Sequence, residues 1–232
     1  MQEYRGVFYI YLNYFVLVCF RPNMMRFSEI GGDGDEFAIE IISHSILNKV
    51  WRFCEKSDND RAINWNVRPG ATAYQLLNDT KSMAVERKNY GQRVVFGLHF
   101  FQNSIARGMS NASVVELKDD IEHFIFTTME GYHDLFWILV DRPPELQNSF
   151  VVINSINHTL DESNRERGWR ECFPGRVCER MRKGRLLIQP WKWREADPEF
   201  TGSRKLGYHP HDNVMPAYGR YLRNYVNSHV PY

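Results

Sequence analysis

The sequence predicts one mainly β domain (α+β), a jelly-roll-like antiparallel β-sandwich with flanking helices. Three observations lead to this prediction. Aromatic residues make up 14% of the 232 residues, and Tyr and Phe favour strands. Short apolar runs recur with turn residues between them, which is typical of a sandwich or jelly roll. No internal repeat, low-complexity tract or long linker divides the chain, so residues 1–232 are expected to form a single domain.

The first apolar run, residues 6–20, is rich in Tyr, Phe and Val and predicts two buried strands joined by a tight turn. It is shorter than the ~20 residues that a membrane-spanning helix needs. It also lacks the basic leader and the small-residue cleavage site of a signal peptide. The glycine-rich stretch at residues 31–35 is acidic and lacks the Lys of a phosphate-binding P-loop. It therefore predicts a loop.

The rest of the chain combines helices and short strands. Apolar residues at helical spacing predict an amphipathic helix over residues 44–56, and a second helix is expected within residues 71–88. Residues 93–101 form the clearest buried strand, because eight of these nine residues are apolar, glycine or histidine. The remaining predicted strands are residues 37–42, 62–67, 114–117, 123–128, 135–140 and 149–156.

The charge balance favours association between copies of the chain. The formal net charge is +1 and the pI is near 7.7, so electrostatic self-repulsion is weak at neutral pH.

The four cysteines are widely scattered and fit neither a disulfide framework nor a zinc site. We therefore expect reduced thiols in an intracellular protein. The cysteines are Cys19, Cys54, Cys172 and Cys178.

The sequence offers weak signals for catalysis. Eight histidines are present without a His-Glu-x-x-His motif, and His209-Pro-His211 is the closest pair, which we interpret as a loop and not as a metal site. Glu130, His133 and Asp134 could perform acid–base chemistry, but the sequence places neither an oxyanion loop nor a candidate nucleophile beside them. A hydrolase that uses His133 with Glu130 or Asp134 is the last-ranked hypothesis. No catalytic or metal residue, and no enzyme activity, is expected.

The final third of the chain is basic. Between residues 165 and 195 there are ten Lys or Arg against four Glu. Cations near Trp191 and Trp193 suit phosphates and stacked bases. Pairing of the same arginines with acidic surfaces of neighbouring copies is the competing interpretation. The candidate nucleotide- or phosphate-binding residues are Arg176, Arg180, Arg182, Lys183 and Arg185.

Six segments follow one another along the chain: residues 8–18, 45–55, 92–101, 110–120, 130–136 and 148–157. In their order and spacing they resemble the polyhedrin of cypoviruses. The resemblance covers roughly residues 7–157. It implies a jelly roll, homotrimers as building blocks, and an intracellular crystalline lattice that occludes virus particles. Members of that family carry a linking helix ahead of the first strand, whereas about six residues precede it here. Contacts between trimers would then come from the basic final third.

These observations together predict a structural protein that assembles with itself to occlude and protect virus particles in occlusion bodies of the host-cell cytoplasm. Its expected partners are copies of itself and virus particles, with no membrane. No cofactor is required, although the resemblance implies that a lattice could hold a nucleoside triphosphate. The alternative hypothesis is a viral RNA- or nucleotide-binding accessory protein that uses residues 165–195.

Overall fold

The computed structural model of the chain describes residues 37–47, 50, 62–177 and 214–230. In this part of the chain, four strands form one sheet in the order β2-β1-β3-β4, and every neighbouring pair is parallel. Parallel neighbours cannot be joined by a tight hairpin, so the chain crosses over between them. The strands are β1 (Ala38–Ser43), β2 (Ile63–Val67), β3 (Val94–His99) and β4 (Asp134–Trp137).

Helices provide most of the remaining secondary structure in the described residues. Helix α1 begins with a capping box, in which the Thr72 hydroxyl accepts from the Gln75 amide N–H and the Gln75 side chain accepts from the Thr72 N–H. A π-helical turn (Phe124–Thr128) and a 3-10 segment (Pro144–Ser149) complete the connections. The α-helices are α1 (Ala73–Asn89), α2 (Gln102–Ala106), α3 (Asn111–His123), α4 (Phe150–Glu166) and α5 (Met215–His229).

The sheet lies between two apolar layers. One face packs on α1, α3 and α4 through residues that include Phe96, Trp137 and Ile153. The opposite face packs on α5 through residues that include Ile41 and Phe136. A sheet that is covered on both faces explains why β3 is apolar without alternation. None of the helices in the described ranges is long and apolar enough to cross a membrane.

The predicted antiparallel jelly roll is wrong, because the sheet is parallel and helices cover both of its faces. Three segments predicted as strands are helical: residues 114–117 lie in α3, residues 123–128 run from the end of α3 into the π-helical turn, and residues 149–156 lie mostly in α4. Their β-branched and aromatic residues favour strands locally, but burial of a helical face outweighs that preference.

Other predictions agree with the structure. The strands expected at residues 37–42, 62–67, 93–101 and 135–140 correspond to β1 to β4, and the helix expected within residues 71–88 corresponds to α1. Residues 45–47 and 50 of the helix predicted at 44–56 are helical, as a 3-10 turn. The hairpin predicted at residues 6–20 and the loop at 31–35 lie outside the described residues.

Two asparagines of α4 brace the backbone of the last strand and its continuation. The Asn164 side chain accepts from the Trp137 N–H at 2.7 Å and donates to the Trp137 carbonyl at 2.9 Å. Asn157 makes the same pair of bonds to Val140, at 2.7 and 2.8 Å. Each carboxamide thus makes the two hydrogen bonds that a peptide group of a further strand would otherwise make to this strand. Cys172 forms a single parallel bridge with Ile138 between these two positions.

A buried carboxylate lies between the sheet and α1. The Glu40 side chain is 1% exposed and pairs with the Arg87 guanidinium. Asn64 and Asn66 of β2 donate to its two oxygens. Burial raises the pKa of Glu40, and Arg87 with the two asparagines opposes that rise. This network ties β1, β2 and α1 together.

Candidate functional site

The strand order places a crevice at the carboxyl ends of β1 and β3. In the strand order, the chain moves from β1 outward to its neighbour β2, and from β3 outward in the opposite direction to its neighbour β4. The connections that leave these adjacent strands therefore diverge, which makes a topological switch point. In open parallel sheets, ligands bind outside the carboxyl ends of the strands at such a point. The candidate site is built from residues 43–47 and 99–104.

Ser45 is the chemically suitable residue after β1. It begins the 3-10 turn that follows the strand, and it is the one residue among 39–47 that is not buried. Its apolar neighbours Ile46 and Leu47 turn into the core, with no exposed surface. The strand-to-turn transition thus leaves Ser45 partly exposed at the carboxyl edge of the sheet.

A buried polar cluster lies directly beneath Ser45. Ser43 and His99 are register partners on β1 and β3, and the Ser43 Oγ lies 3.1 Å from the His99 Nδ1. The same Oγ lies 3.2 Å from the carbonyl oxygen of His44. The rings of His44 and His99 lie 4.8 Å apart between centroids. Ser43, His44 and His99 are each fully buried.

Burial keeps the imidazole of His99 neutral. Desolvation lowers its pKa to about 3, far below the range in which a histidine exchanges protons at neutral pH. Its Nε2 has no hydrogen-bond partner within the described part of the chain. His99 is therefore unsuited to act as a general base, but its fixed position suits a supporting role.

The segment after β3 adds apolar and polar side chains. Phe100 and Phe101 pack on Trp137, with ring centroids 5.7 and 5.5 Å from it. The next residue, Gln102, is fully buried, and neither atom of its amide has a hydrogen-bond partner among the described residues. Each unsatisfied buried polar atom costs about 1–3 kcal/mol. Within the described part of the chain, Gln102 is thus an uncompensated polar group in the candidate site.

Replacing Gln102 by Leu is expected to raise the unfolding free energy by about 1 kcal/mol, because the change removes an unsatisfied amide and retains most of the side-chain volume. Chemical denaturation monitored by circular dichroism measures the change. The neighbouring Asn103→Leu is the matched control. It should destabilise the protein, because the Asn103 amide donates to the Ala71 carbonyl at 3.0 Å. A loss of stability in Gln102→Leu equal to that of the control would contradict this prediction.

Helix α5 is anchored near the same edge by the residues after β4. The Tyr218 hydroxyl donates to the Asp141 carboxylate at 2.9 Å, and both residues are fully buried. Gly175 lies so close that a Cβ on it would be 2.2 Å from the Asp141 Oδ1. The first turns of α5 are thereby fixed beside the carboxyl end of β4.

The residues considered for acid–base chemistry from sequence lie at the opposite, amino edge of the sheet. The His133 Nδ1 accepts from the Val94 N–H at 3.2 Å, so its Nε2 carries the proton and donates to the Ala84 carbonyl at 2.8 Å. Burial lowers the pKa of His133. Glu130 is exposed and pairs with Lys88. His133 is therefore a structural residue, and the hypothesis of a hydrolase centred on it is wrong.

The predicted phosphate-binding residues fall mostly outside the described part of the chain. Arg176 is described, and its guanidinium pairs with the Glu171 carboxylate. Arg180, Arg182, Lys183 and Arg185 lie outside the described residues, as do His209 and His211. A phosphate site at these positions stays an untested prediction.

The described residues contain no group of three or more His, Cys, Asp or Glu that could hold a metal ion. Cys172 is a buried free thiol. Burial raises the pKa of Cys172, and the carboxylates of Glu171 and Asp141 add to that rise. The thiol is therefore a poor nucleophile. Cys19, Cys54 and Cys178 lie outside the described residues.

Ser45 was missed in the sequence. The available signal was a predicted strand that ends at the sequence Ser-His-Ser and is followed at once by a predicted helix. A serine at the turn from a strand into a helix is a recurring position for a nucleophile. The antiparallel interpretation concealed this signal, because only a parallel sheet brings the carboxyl ends of adjacent strands to one edge.

No family model and no curated protein matches the sequence, but solved structures match its fold. A Bacteroides fragilis protein described as an acylhydrolase is 15% identical and has a TM-score of 0.59; the match covers 84% of this chain and 89% of that one. A lipase/acylhydrolase from Enterococcus faecalis is 12% identical (TM-score 0.57, coverage 83% and 96%). A GDSL-like lipase from Bacteroides thetaiotaomicron is also 12% identical (TM-score 0.55, coverage 82% and 88%). Because the sequence identities are this low, these similarities establish the fold alone.

These findings correct the functional predictions made from sequence. The resemblance to cypovirus polyhedrin is wrong, because the chain has the parallel α/β fold of proteins named as GDSL-like lipases and acylhydrolases. The prediction of a virus-occluding structural protein in cytoplasmic occlusion bodies is wrong with it. The expectation of no enzyme activity and the alternative of a viral RNA- or nucleotide-binding accessory protein are wrong too, since the solved structures that share the fold are named as lipases and acylhydrolases. Homotrimers, virus-particle partners, the lack of a membrane partner and the lack of a required cofactor stay untested predictions.

Proposed function

We propose that this chain is a serine hydrolase that cleaves esters, with Ser45 as the nucleophile. The observation that carries the proposal is the position of Ser45. It is the accessible residue in a buried stretch, directly after β1 and at the switch point of a parallel sheet. The names of the solved structures that share the fold, lipases and acylhydrolases, support an acyl ester as the substrate class.

The reaction that suits this position has two stages. The Ser45 Oγ attacks the ester carbonyl carbon while its proton passes to a general base, and the alcohol leaves with that proton as the ester C–O bond breaks. Water then attacks the acyl group on Ser45 and releases the acid. Covalent catalysis by serine requires such a base within hydrogen-bond reach of the hydroxyl.

Three histidines are candidates for the general base. His99 is held neutral by burial, and His133 lies at the opposite edge of the sheet. His44 directly precedes the nucleophile. His209 and His211, outside the described residues, precede α5 by a few residues in the sequence. Alanine variants at positions 44, 209 and 211 therefore accompany the test of Ser45.

The test measures hydrolysis of p-nitrophenyl acetate, butyrate and octanoate by the purified full chain. Ser45→Ala is expected to lower kcat/KM at least about 10³-fold, as removal of a catalytic serine does in other hydrolases. The matched control is Ser82→Ala, on the exposed side of α1, which should retain full activity. One of the three histidine variants should show a comparable loss of activity in a chain that remains folded.

Covalent labelling gives a second, independent readout. An alkyl fluorophosphonate should phosphonylate the Ser45 Oγ with loss of fluoride and of the hydroxyl proton, and peptide mass spectrometry would locate the adduct. Labelling should be absent in Ser45→Ala and unchanged in Ser82→Ala. Ester hydrolysis that persists in Ser45→Ala, or a folded wild-type chain that neither cleaves the esters nor takes the label, would reject the proposed function.

A further inference from the structure

We propose that His99 is a positioning residue for the nucleophile: through Ser43, it orients the peptide group that carries Ser45. The proposal rests on the function proposed above for Ser45. It goes beyond that function because it assigns a role to a buried histidine that does not touch the substrate.

A hydrogen-bond relay connects the imidazole to that peptide group. The Ser43 hydroxyl has one hydrogen and two partners in reach, the His44 carbonyl oxygen at 3.2 Å and the His99 Nδ1 at 3.1 Å. Both contacts are hydrogen bonds at once in one arrangement, with the Nδ1–H donating to Oγ and the Oγ–H donating to the carbonyl. That carbonyl belongs to the peptide between His44 and Ser45, so the relay ends at the backbone of the nucleophile.

The surroundings of His99 make the relay rigid. Ser43 and His99 are paired in register across β1 and β3, and the imidazole packs against the His44 ring, with the centroids 4.8 Å apart and the planes tilted by 32°. All three residues are fully buried, so water cannot replace either hydrogen bond. Burial also holds the pKa of His99 near 3. The ring therefore keeps a single proton, which the relay assigns to Nδ1.

Such a relay matters because covalent catalysis depends on the placement of the attacking oxygen. A misplacement of about 1 Å can lower a rate ~10²-fold. The turn after β1 presents Ser45, and the peptide plane before Ser45 helps to set the direction of its Cα–Cβ bond. Loss of the relay should therefore lower kcat more than it alters substrate binding.

The main comparison is between His99→Leu and His99→Asn. Leu removes the Nδ1–H, whereas the side-chain amide of Asn can place an N–H near the same position. His99→Leu should lower kcat ~10- to 100-fold with KM within about 2-fold, and His99→Asn should recover most of kcat. His133→Leu is the matched control, because it likewise removes a buried imidazole. The His133 ring makes two hydrogen bonds to the backbone. This variant should lower Tm and leave kcat unchanged.

The second comparison tests whether His99 acts through Ser43. Ser43→Ala should lower kcat as His99→Leu does, and the double variant should be no worse than either single one. Effects of the two substitutions that multiply would overturn the relay, because residues acting through one path are not additive. Equal kcat in His99→Leu and His133→Leu would overturn the positioning role and leave His99 a purely structural residue.

Two measurements test the relay without relying on activity. A wild-type chain that cleaves no ester would reject the proposed function, but these two measurements would still decide whether the relay exists. ¹⁵N NMR of the imidazole should place the proton on Nδ1, and a proton on Nε2 would overturn the relay. Hydrogen exchange of the amides at residues 45–47 should accelerate in His99→Leu relative to His133→Leu at matched stability. Unchanged exchange at these amides would also overturn it.

Discussion

Replacing Arg87 by Met is expected to lower the free energy of unfolding by about 3–5 kcal/mol at neutral pH. The guanidinium of Arg87 pairs with the carboxylate of Glu40, whose side chain is 1% exposed. Without the cation, the folded chain must hold an unpaired buried charge or bind a proton. Urea denaturation of the wild type and the variant at pH 7 measures the difference.

The same substitution should make stability strongly dependent on pH. Burial raises the folded-state pKa of Glu40 above its ordinary value near 4.5, and Arg87 opposes the rise. An acid whose pKa is raised on folding binds its proton more tightly in the folded state, so its contribution to stability is full below the unfolded pKa and is lost as pH rises through the folded pKa. Removing Arg87 raises the folded pKa further, so the loss should extend to higher pH.

Two further variants separate the buried pair from a general effect of charge. Lys81→Met breaks a part-exposed pair with Asp120, at 2.7 Å, and should cost less than about 1 kcal/mol. Glu40→Gln in the Arg87→Met background removes the buried charge and should recover much of the stability. A cost for Arg87→Met no larger than that of Lys81→Met would show that the buried carboxylate is not stabilised by Arg87.

Gly97→Ala is expected to lower the free energy of unfolding by about 1–3 kcal/mol, because it overfills a packed core. Gly97 lies at the centre of β3, where a Cβ would be 2.4 Å from the Ile41 Cδ1 and 2.6 Å from the Phe136 Cζ. Both side chains are fully buried, so the new methyl group must displace at least one of them within the packed core. Thermal and urea denaturation of the variant test this prediction.

The identity of the clashing atom can be checked by a double-mutant cycle. Ile41→Val removes the Cδ1 that the new methyl group would meet, at an expected cost of about 0.5–1.5 kcal/mol by itself. The double variant Gly97→Ala/Ile41→Val should then be more stable than the sum of the two single effects. Strict additivity would show that the close contact with Ile41 is not the source of the strain.

Part of the fold could be predicted from sequence because some elements carry an unambiguous local pattern. Residues 94–99 form an apolar run of strand length and occupy the centre of the sheet as β3. The run at residues 149–156 misled for a physical reason. Its β-branched residues favour a strand, yet Val151 is 82% exposed, and the buried positions Ile153, Ile156 and Leu160 follow the helical spacing i, i+3, i+7.

The candidate site was harder to predict, because its residues are distant in sequence. Ser45 and His99 are brought near each other only because β1 pairs with β3 in a parallel sheet. Glu130, His133 and Asp134 are close in sequence and therefore suggested a site, but Glu130 and His133 lie in the turn that leads into β4 and Asp134 is the first residue of that strand. The direction of the strands decides at which end of the sheet a site can form, and the sequence pattern did not predict that direction.

The two asparagines of α4 have a consequence for how this sheet can meet other molecules. Unpaired peptide groups along an outer strand ordinarily invite a further strand, and chains with such edges are prone to polymerise. Here the carboxamides of Asn157 and Asn164 already occupy the outward peptide groups of Val140 and Trp137. An incoming strand would have to displace both side chains before it could bond, so the sheet is closed to extension at these two positions.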